Sequence, residues 1–238
     1  MLDGSHITVY RDLEQGSEEW LQARCGLLTA SEMKLILTPT LKAASNDKER
    51  AHLYELAAQR ISGYVEPHYV NDDMLRGQAE EIEARRYYEH NFGPVEQVGF
   101  IVNRKWGFPI GCSPDWLVGE DGGAECKSRR AKYQVQTIIE NVFADRSETI
   151  PPDFTIQVQT CLLVTERRWW DFVSFSGGLP MVAIRVWPDP VIQAAIVETA
   201  GAFEARIQKR IADYHAAAEI PGARLVPTER ILFTDILA

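Results

Sequence analysis

The chain has 238 residues, 45% hydrophobic and 25% charged, which is room for one large core and an ordinary globular composition. A net charge of −9, from 25 basic and 34 acidic side chains, argues against a general nucleic-acid coat but not against a groove in which cations are gathered locally. No apolar run reaches membrane-span length, the first residues lack a signal core, and Cys25, Cys112, Cys126 and Cys161 form no CxxC pair, so the expectation is a cytoplasmic protein without structural zinc, disulfides or membrane contact.

The first third reads helical. Ser17 is placed to cap a short helix through Trp20 and Leu21, and Thr29 or Ser31 to cap another through Met33, Leu35 and Ile36. Asn46 or Asp47 opens a third, with Leu53, Leu56, Ala57 and Ile61 at helical spacing until Gly63. A fourth is expected over 73–90, with Leu75, Ala79 and Ile82 along one face. Short apolar segments between turn signals then predict strands at Gly99–Asn103, Pro109–Cys112, Trp116–Val118 and Ala124–Lys127. A helix opened by Pro151-Pro152-Asp153 carries Phe154, Val158, Cys161 and Leu162; strands follow at Trp169–Phe175 and Met181–Trp187. After Pro190 a long helix runs to about Tyr214, and the tail RILFTDILA is apolar enough to dock. This order predicts one α/β domain over 1–238, a mixed central β-sheet flanked by helices: a helical part to about 95, a sheet core over about 96–187, and a C-terminal helix and tail.

The chemistry is concentrated in Gly111-Cys-Ser-Pro-Asp115 and Ala124-Glu125-Cys-Lys127, joined across the glycine-rich turn Gly119-Glu-Asp-Gly-Gly123. A hairpin centred near Glu120 places Asp115 opposite Glu125, and Lys127, two residues on, faces the same side as Glu125. Hard carboxylate oxygens converging beside an ammonium suit Mg²⁺ or Mn²⁺ and phosphodiester hydrolysis. A surface hairpin with ordinary charges is the alternative.

Four separated segments carry a resemblance: Gln15-Gly-Ser-Glu-Glu-Trp20 with Arg24-Cys-Gly-Leu-Leu-Thr-Ala-Ser31-Glu; Arg76-Gly-Gln-Ala-Glu-Glu81 with Ala84-Arg85; Cys112-Ser-Pro-Asp115 with Glu125-Cys-Lys127; and Gln157-Val-Gln159 with Val164-Thr165. Together, and in this order, the chain resembles the bacteriophage lambda exonuclease family, the YqaJ-like viral recombinases of the PD-(D/E)xK superfamily with its restriction-endonuclease-like core. The resemblance implies a Mg²⁺-dependent (or Mn²⁺-dependent) two-ion site with Asp115 bridging, Glu125 and the Cys126 carbonyl on the first ion, Glu81 on the second, and Lys127 as catalytic lysine. Glu80 and Glu83 compete for the Glu81 role. It further implies that Arg24, Ser31, Ser113 and Gln157 hold a 5′-terminal phosphate. Read without the resemblance, Arg24 is a helix-surface ion pair, Ser31 an N-cap, and Gln157 and Gln159 solvent-facing. Arg129 and Arg130 are placed to touch DNA phosphates or to form a solvated turn.

The activity implied is a processive 5′→3′ exonuclease on double-stranded DNA ends that leaves 3′ overhangs for recombination, working as a ring-shaped homotrimer beside a single-strand annealing recombinase. The alternatives are an endonuclease of the same superfamily and an inactive DNA-end-binding module. The chain departs from the family pattern at Ser128-Arg129, where a proline is usual, and at Trp116, where a glycine is common, which leaves the local loop shape open. Trp20 is expected to pack in the core, and of Trp169 and Trp170 one is expected inside and one facing a neighbour.

Overall fold

A computed structural model of the chain describes residues 6–66, 72–143 and 149–230. Its strands are β1 Ile7–Tyr10, β2 Leu28–Thr29, β3 Phe100–Asn103, β4 Ile110–Cys112, β5 Trp116–Val118, β6 Gly122–Ser128, β7 Trp169–Phe175 and β8 Val182–Val186. Its helices are α1 Glu18–Arg24, α2 Met33–Ile36, α3 Asp47–Ser62, α4 Asp72–Phe92, α5 Ala131–Thr137, α6 Pro152–Thr165 and α7 Pro190–Ala218, with a π-helical continuation of α5 over Ile138–Phe143. The mixed α/β class expected from the element order is the one found. The strands divide into two four-stranded mixed sheets, ordered β1-β3-β4-β2 and β5-β6-β7-β8, and each contains one parallel pair, β2 with β4 and β6 with β7.

Local chemistry accounts for the helix ends. Asn46 accepts from the Lys48 and Glu49 amides and Gly63 closes α3 in the left-handed conformation, at φ 65°. Asp189 caps α7 through the Val191 and Ile192 amides, with Pro190 at the first turn. Ser17 caps α1 through the Trp20 amide at 3.2 Å. The Thr29 or Ser31 cap is not formed. Thr29 lies in β2, paired with Gly111, its hydroxyl is engaged by side chains, and α2 is a single turn without a side-chain cap.

α6 is the central helix. Ile156, Val158, Cys161, Leu162 and Val164 are buried, and so are Gln157, Gln159 and Thr160. Burial of two glutamines requires partners: Gln159 donates to the Trp187 carbonyl and accepts from the Asp189 amide. The solvent-facing reading of the glutamines does not hold. Around α6 a large core joins Met33, Leu53, Leu56, Ile196 and Phe203 from α2, α3 and α7 with Phe172 from β7.

The face expected for α4 is overturned. Leu75 and Ile82 are about half exposed, while Ala84 and Tyr88 are fully buried against Trp116, Ala124 and Cys126. Glu81 shares the inward side with Ala84 and Tyr88, at three- and seven-residue spacing, so the buried stripe is only partly apolar and the apolar periodicity pointed outward. Tyr88 fastens this helix to the sheet, donating to Asp171 Oδ2 at 2.5 Å while Arg185 grips the same carboxylate at 2.9 and 3.0 Å. Of the tryptophan pair, Trp170 is buried and Trp169 stacks under Arg185, 3.6 Å from its ring centroid. The end of the apolar tail, 231–238, lies outside the described residues.

Candidate functional site

The β5–β6 hairpin pairs Trp116 with Ala124 and Val118 with Gly122, a register whose continuation puts Asp115 across from Glu125. The expected juxtaposition is therefore present. Asp115 Oδ2 accepts from the Cys126 amide at 2.5 Å, which pins the carboxylate to β6. Glu125 and Lys127, two apart on one strand, meet directly: Lys127 Nζ donates to Glu125 Oε1 at 2.5 Å. Gln157, reaching from α6, donates to the same oxygen at 2.6 Å. The second oxygen, Glu125 Oε2, is buried without a hydrogen-bond partner. Cys126 points the other way, its thiol in the small core beneath α4.

Glu81 belongs to the same electrostatic unit. Its pKa is raised by burial and then by the charge of Glu125, against the opposing pull of Lys127 and Arg85. Asp115 is pushed well above the usual carboxylate range by burial, Glu125 and Glu81, against Lys127 and the Cys126 amide. Burial works to lower the pKa of the Lys127 ammonium, but Glu125 and Asp115 outweigh it and the net direction is upward. The competing carboxylates on α4 are engaged elsewhere. Glu80 accepts from the Ser128 hydroxyl, and Glu83 pairs with Arg86 at 2.6 Å.

Among the described residues, no three His, Cys, Asp or Glu side chains stand close enough together to hold a metal ion as they are. The donor set nevertheless fits a hard divalent cation: three carboxylates, two of them raised in pKa by burial and by the charge of Glu125, and one buried carboxylate oxygen with no partner.

A second cluster forms around Arg24. Its Nη2 donates to Thr29 Oγ1 at 3.2 Å, Thr29 Oγ1 lies 3.3 Å from Ser31 Oγ, and the guanidinium sits 4.1 Å above the Trp20 ring. Trp20 Nε1 donates to Ser113 Oγ at 3.1 Å and to the Gly99 carbonyl at 2.9 Å. Trp20 is thus partly exposed and polar-bonded, a clamp rather than plain core. Burial lowers the pKa of Arg24, with Glu32 and then Cys112 acting in the opposite sense. The structure therefore brings Arg24, Ser31 and Ser113 together, and Ser113 is two residues from Asp115. Gln157 is outside that hydrogen-bonded group: its amide donates to Glu125 Oε1 instead.

Arg129 lies beside the first cluster, 5.2 Å from the Phe154 ring centroid, and Lys127 Nζ is 5.6 Å from the same ring. Arg129 Nε is buried without a hydrogen-bond partner, and burial lowers its pKa. Arg130 is exposed at the start of α5, so the 129–130 stretch is a strand-to-helix junction rather than an open turn. Thr29 and Phe154 touch the two clusters, at Arg24 and at Lys127 and Arg129, and were not singled out from sequence as site residues. Thr29 was visible within the Thr-Ala-Ser-Glu run, whereas nothing local marks Phe154.

The model of the YqaJ-like viral recombinase domain matches residues 19–168, more than half of the chain. The chain belongs to that family. All residues of both clusters lie inside the matched span. Among solved structures, the alkaline exonuclease LHK-Exo from Laribacter hongkongensis is similar at 29% identity and a TM-score of 0.73, covering 85% of this chain and 98% of that one. Its complex with dAMP is similar at 31% identity, with the same TM-score and coverage. A phage-related exonuclease from Haemophilus somnus 129PT shares the fold, with a TM-score of 0.57 at 13% identity over 79% of this chain and 96% of that one. No curated protein matches. The α/β fold of this YqaJ-like chain is thus the alkaline exonuclease fold.

Proposed function

We propose that this YqaJ-like chain is a divalent-metal-dependent deoxyribonuclease that degrades double-stranded DNA from its ends in the 5′→3′ direction, leaving 3′ single strands for recombination by annealing. The observation that carries the reading is the junction at Ser113-Pro114-Asp115. It joins a donor cluster built on a partly buried arginine to a cluster of three carboxylates and a lysine. An end-specific hydrolase needs that pairing: one site to hold the terminal phosphate and an adjacent one to cut the next phosphodiester.

On this reading Glu81, Asp115, Glu125 and the Cys126 carbonyl would hold the metal, as two ions of Mg²⁺ or Mn²⁺. Such ions supply charge neutralisation at the phosphate and a more acidic water. The chain's own residues do the rest. Arg24 offers a forked cation, and Ser31 and Ser113 offer hydroxyls, to a terminal phosphate whose extra charge distinguishes it from an internal one. Lys127, kept protonated by its carboxylate neighbours, presents an ammonium to the oxygens on which charge develops. Gln157 fixes the rotamer of Glu125. Arg129 and Arg130 follow the strand beyond the cut. A homotrimeric ring around the duplex and a single-strand annealing recombinase as partner complete the proposal.

The deciding experiment is digestion of a linear duplex labelled separately at its 5′ and 3′ termini, with and without Mg²⁺, alongside a closed circular plasmid. Release of 5′-labelled mononucleotides first, with the circle untouched, is the expected result. Cutting of the circle would replace the exonuclease reading with an internal nuclease, and binding of ends without cutting would replace it with a DNA-end-binding module.

A further inference from the structure

The Arg24 cluster contains a carboxylate that a simple anion site would not want. The Thr29 hydroxyl has one hydrogen, and it is given to Glu32 Oε2 at 2.6 Å. The lone pairs of Thr29 are what Arg24 Nη2 and Ser31 Oγ approach, at 3.2 and 3.3 Å. Glu32 therefore sets the polarity of the chain: Thr29 accepts from Arg24, whose other N–H groups remain for an anion, and a fixed negative charge lies behind. Glu32 is only partly buried, and Thr29 links it to the guanidinium. Its charge opposes any second anion brought to Arg24.

Hydrolysis that frees the 3′-oxygen of the departing nucleotide leaves the attacked phosphate on the shortened strand, where it becomes the next 5′ end. The departing mononucleotide keeps its own 5′-phosphate, the group held at Arg24. Each cycle therefore requires the pocket to let one phosphate go and take another, and a pocket that holds too tightly stalls on its product. We propose that Glu32 sets the strength of the terminal-phosphate site, orienting its donors through Thr29 while its charge weakens the grip so that the mononucleotide leaves after each cut. This rests on the placement of the 5′-phosphate at Arg24 under the proposed function.

The test uses the full chain, with dAMP as product and linear duplexes bearing either 5′-phosphate or 5′-hydroxyl ends. Glu32→Gln keeps an acceptor for Thr29 and removes the charge. It is expected to make dAMP inhibit about fivefold more strongly, the order expected of one unit charge across a partly exposed site. KM and kcat should both fall on phosphorylated ends, while Glu32→Asp returns dAMP inhibition toward wild type. Unchanged or weaker dAMP inhibition in Glu32→Gln overturns the inference alone, provided Arg24→Ala still loses the preference for phosphorylated ends. If wild type shows no such preference, the Arg24 pocket and this inference fall together. Should Glu32→Gln lose its circular-dichroism spectrum, Glu32→Ala carries the same comparison.

Discussion

Asp115 is the residue on which folding and activity make opposite demands. It faces Glu125 and Glu81, and desolvation and those charges push its pKa well up. A raised folded-state value means that the native chain keeps a proton the unfolded chain has already lost, between about 3.9 and the raised value. The stabilisation is present below the unfolded pKa and is lost as pH rises through the folded one. In chelator, then, the protein should lose stability as pH climbs from about 4 toward neutrality. Asp115→Asn removes the repelled charge and leaves an oxygen for the Cys126 amide. In chelator at pH 7.5 the variant is expected to melt about 2–4 °C above wild type, the shift of about 1 kcal/mol for a chain of this size, and to be inactive. Mn²⁺ should raise the Tm of wild type but not of the variant. A variant that melts below wild type in chelator would remove electrostatic strain from the account. Lys127→Ala makes the converse demand. It strips Glu125 Oε1 of its closest donor, so it is expected to cost a few kcal/mol of stability and to lower kcat by at least about a hundredfold. Near-normal turnover in a folded Lys127→Ala protein would unseat Lys127 from the site.

At the scale of elements, β6 is held in place by what its glycines lack. A Cβ on Gly123 would fall 2.3 Å from Trp170 Cζ3, and one on Gly122 would fall 2.1 Å from Trp169 Cζ2, so these rings lie flat on the strand only because nothing projects there. Trp170 is fully buried and has nowhere to retreat. Gly123→Ala should therefore cost about 1–3 kcal/mol by overpacking and displace the strand carrying Glu125 and Lys127. A urea midpoint and a kcat that both match wild type would show that the sheet absorbs the methyl. The same strand shows what sequence makes legible. The period of two, the glycine-rich turn and the Asp115–Glu125 spacing are local, and the hairpin register followed from them. The inward side of α4 was not legible, because Glu81 shares it with Ala84 and Tyr88 and apolar counting selects the opposite face. β1 and β2 were missed for different reasons, β1 being a short, partly exposed strand and β2 only two residues long. The placement of Gln157 on Glu125 depends on how α6 lies over the two sheets, a tertiary fact with no trace in the spacing of Gln157-Val-Gln159. Resemblance supplied Arg24, Ser31 and Ser113 as a group; only the fold shows that Thr29 and Trp20 tie them together.

For the molecule as a whole, the total charge of −9 and a DNA substrate are compatible only if cations are concentrated where the duplex runs. Arg24, Lys127 and Arg129, with Arg130 next in the chain, meet that condition, lying in or next to the two clusters, while other charge is spent in pairs such as Arg60–Glu204 and Arg206–Glu49. An acidic monomer with a small basic site would leave its substrate often, since screened attraction alone is weak at physiological ionic strength. Enclosure in a ring removes that dependence, because leaving then requires sliding off an end. Apolar side chains available for contacts between copies are present: Leu75 and Ile82 on the outward side of α4, and Ile139, Val142 and Phe143 on the π-helical segment, where Phe143 is 85% exposed. The expected mass by sedimentation equilibrium is that of three chains. Once loaded on a labelled end, the enzyme should continue through hundreds of nucleotides (on the order of 10², far beyond the few steps a purely electrostatic hold would allow) after excess unlabelled ends are added as a trap, with little change when salt is raised after loading. A monomer whose digestion stops when the trap is added would rule out enclosure and leave the site acting distributively, one encounter per cut.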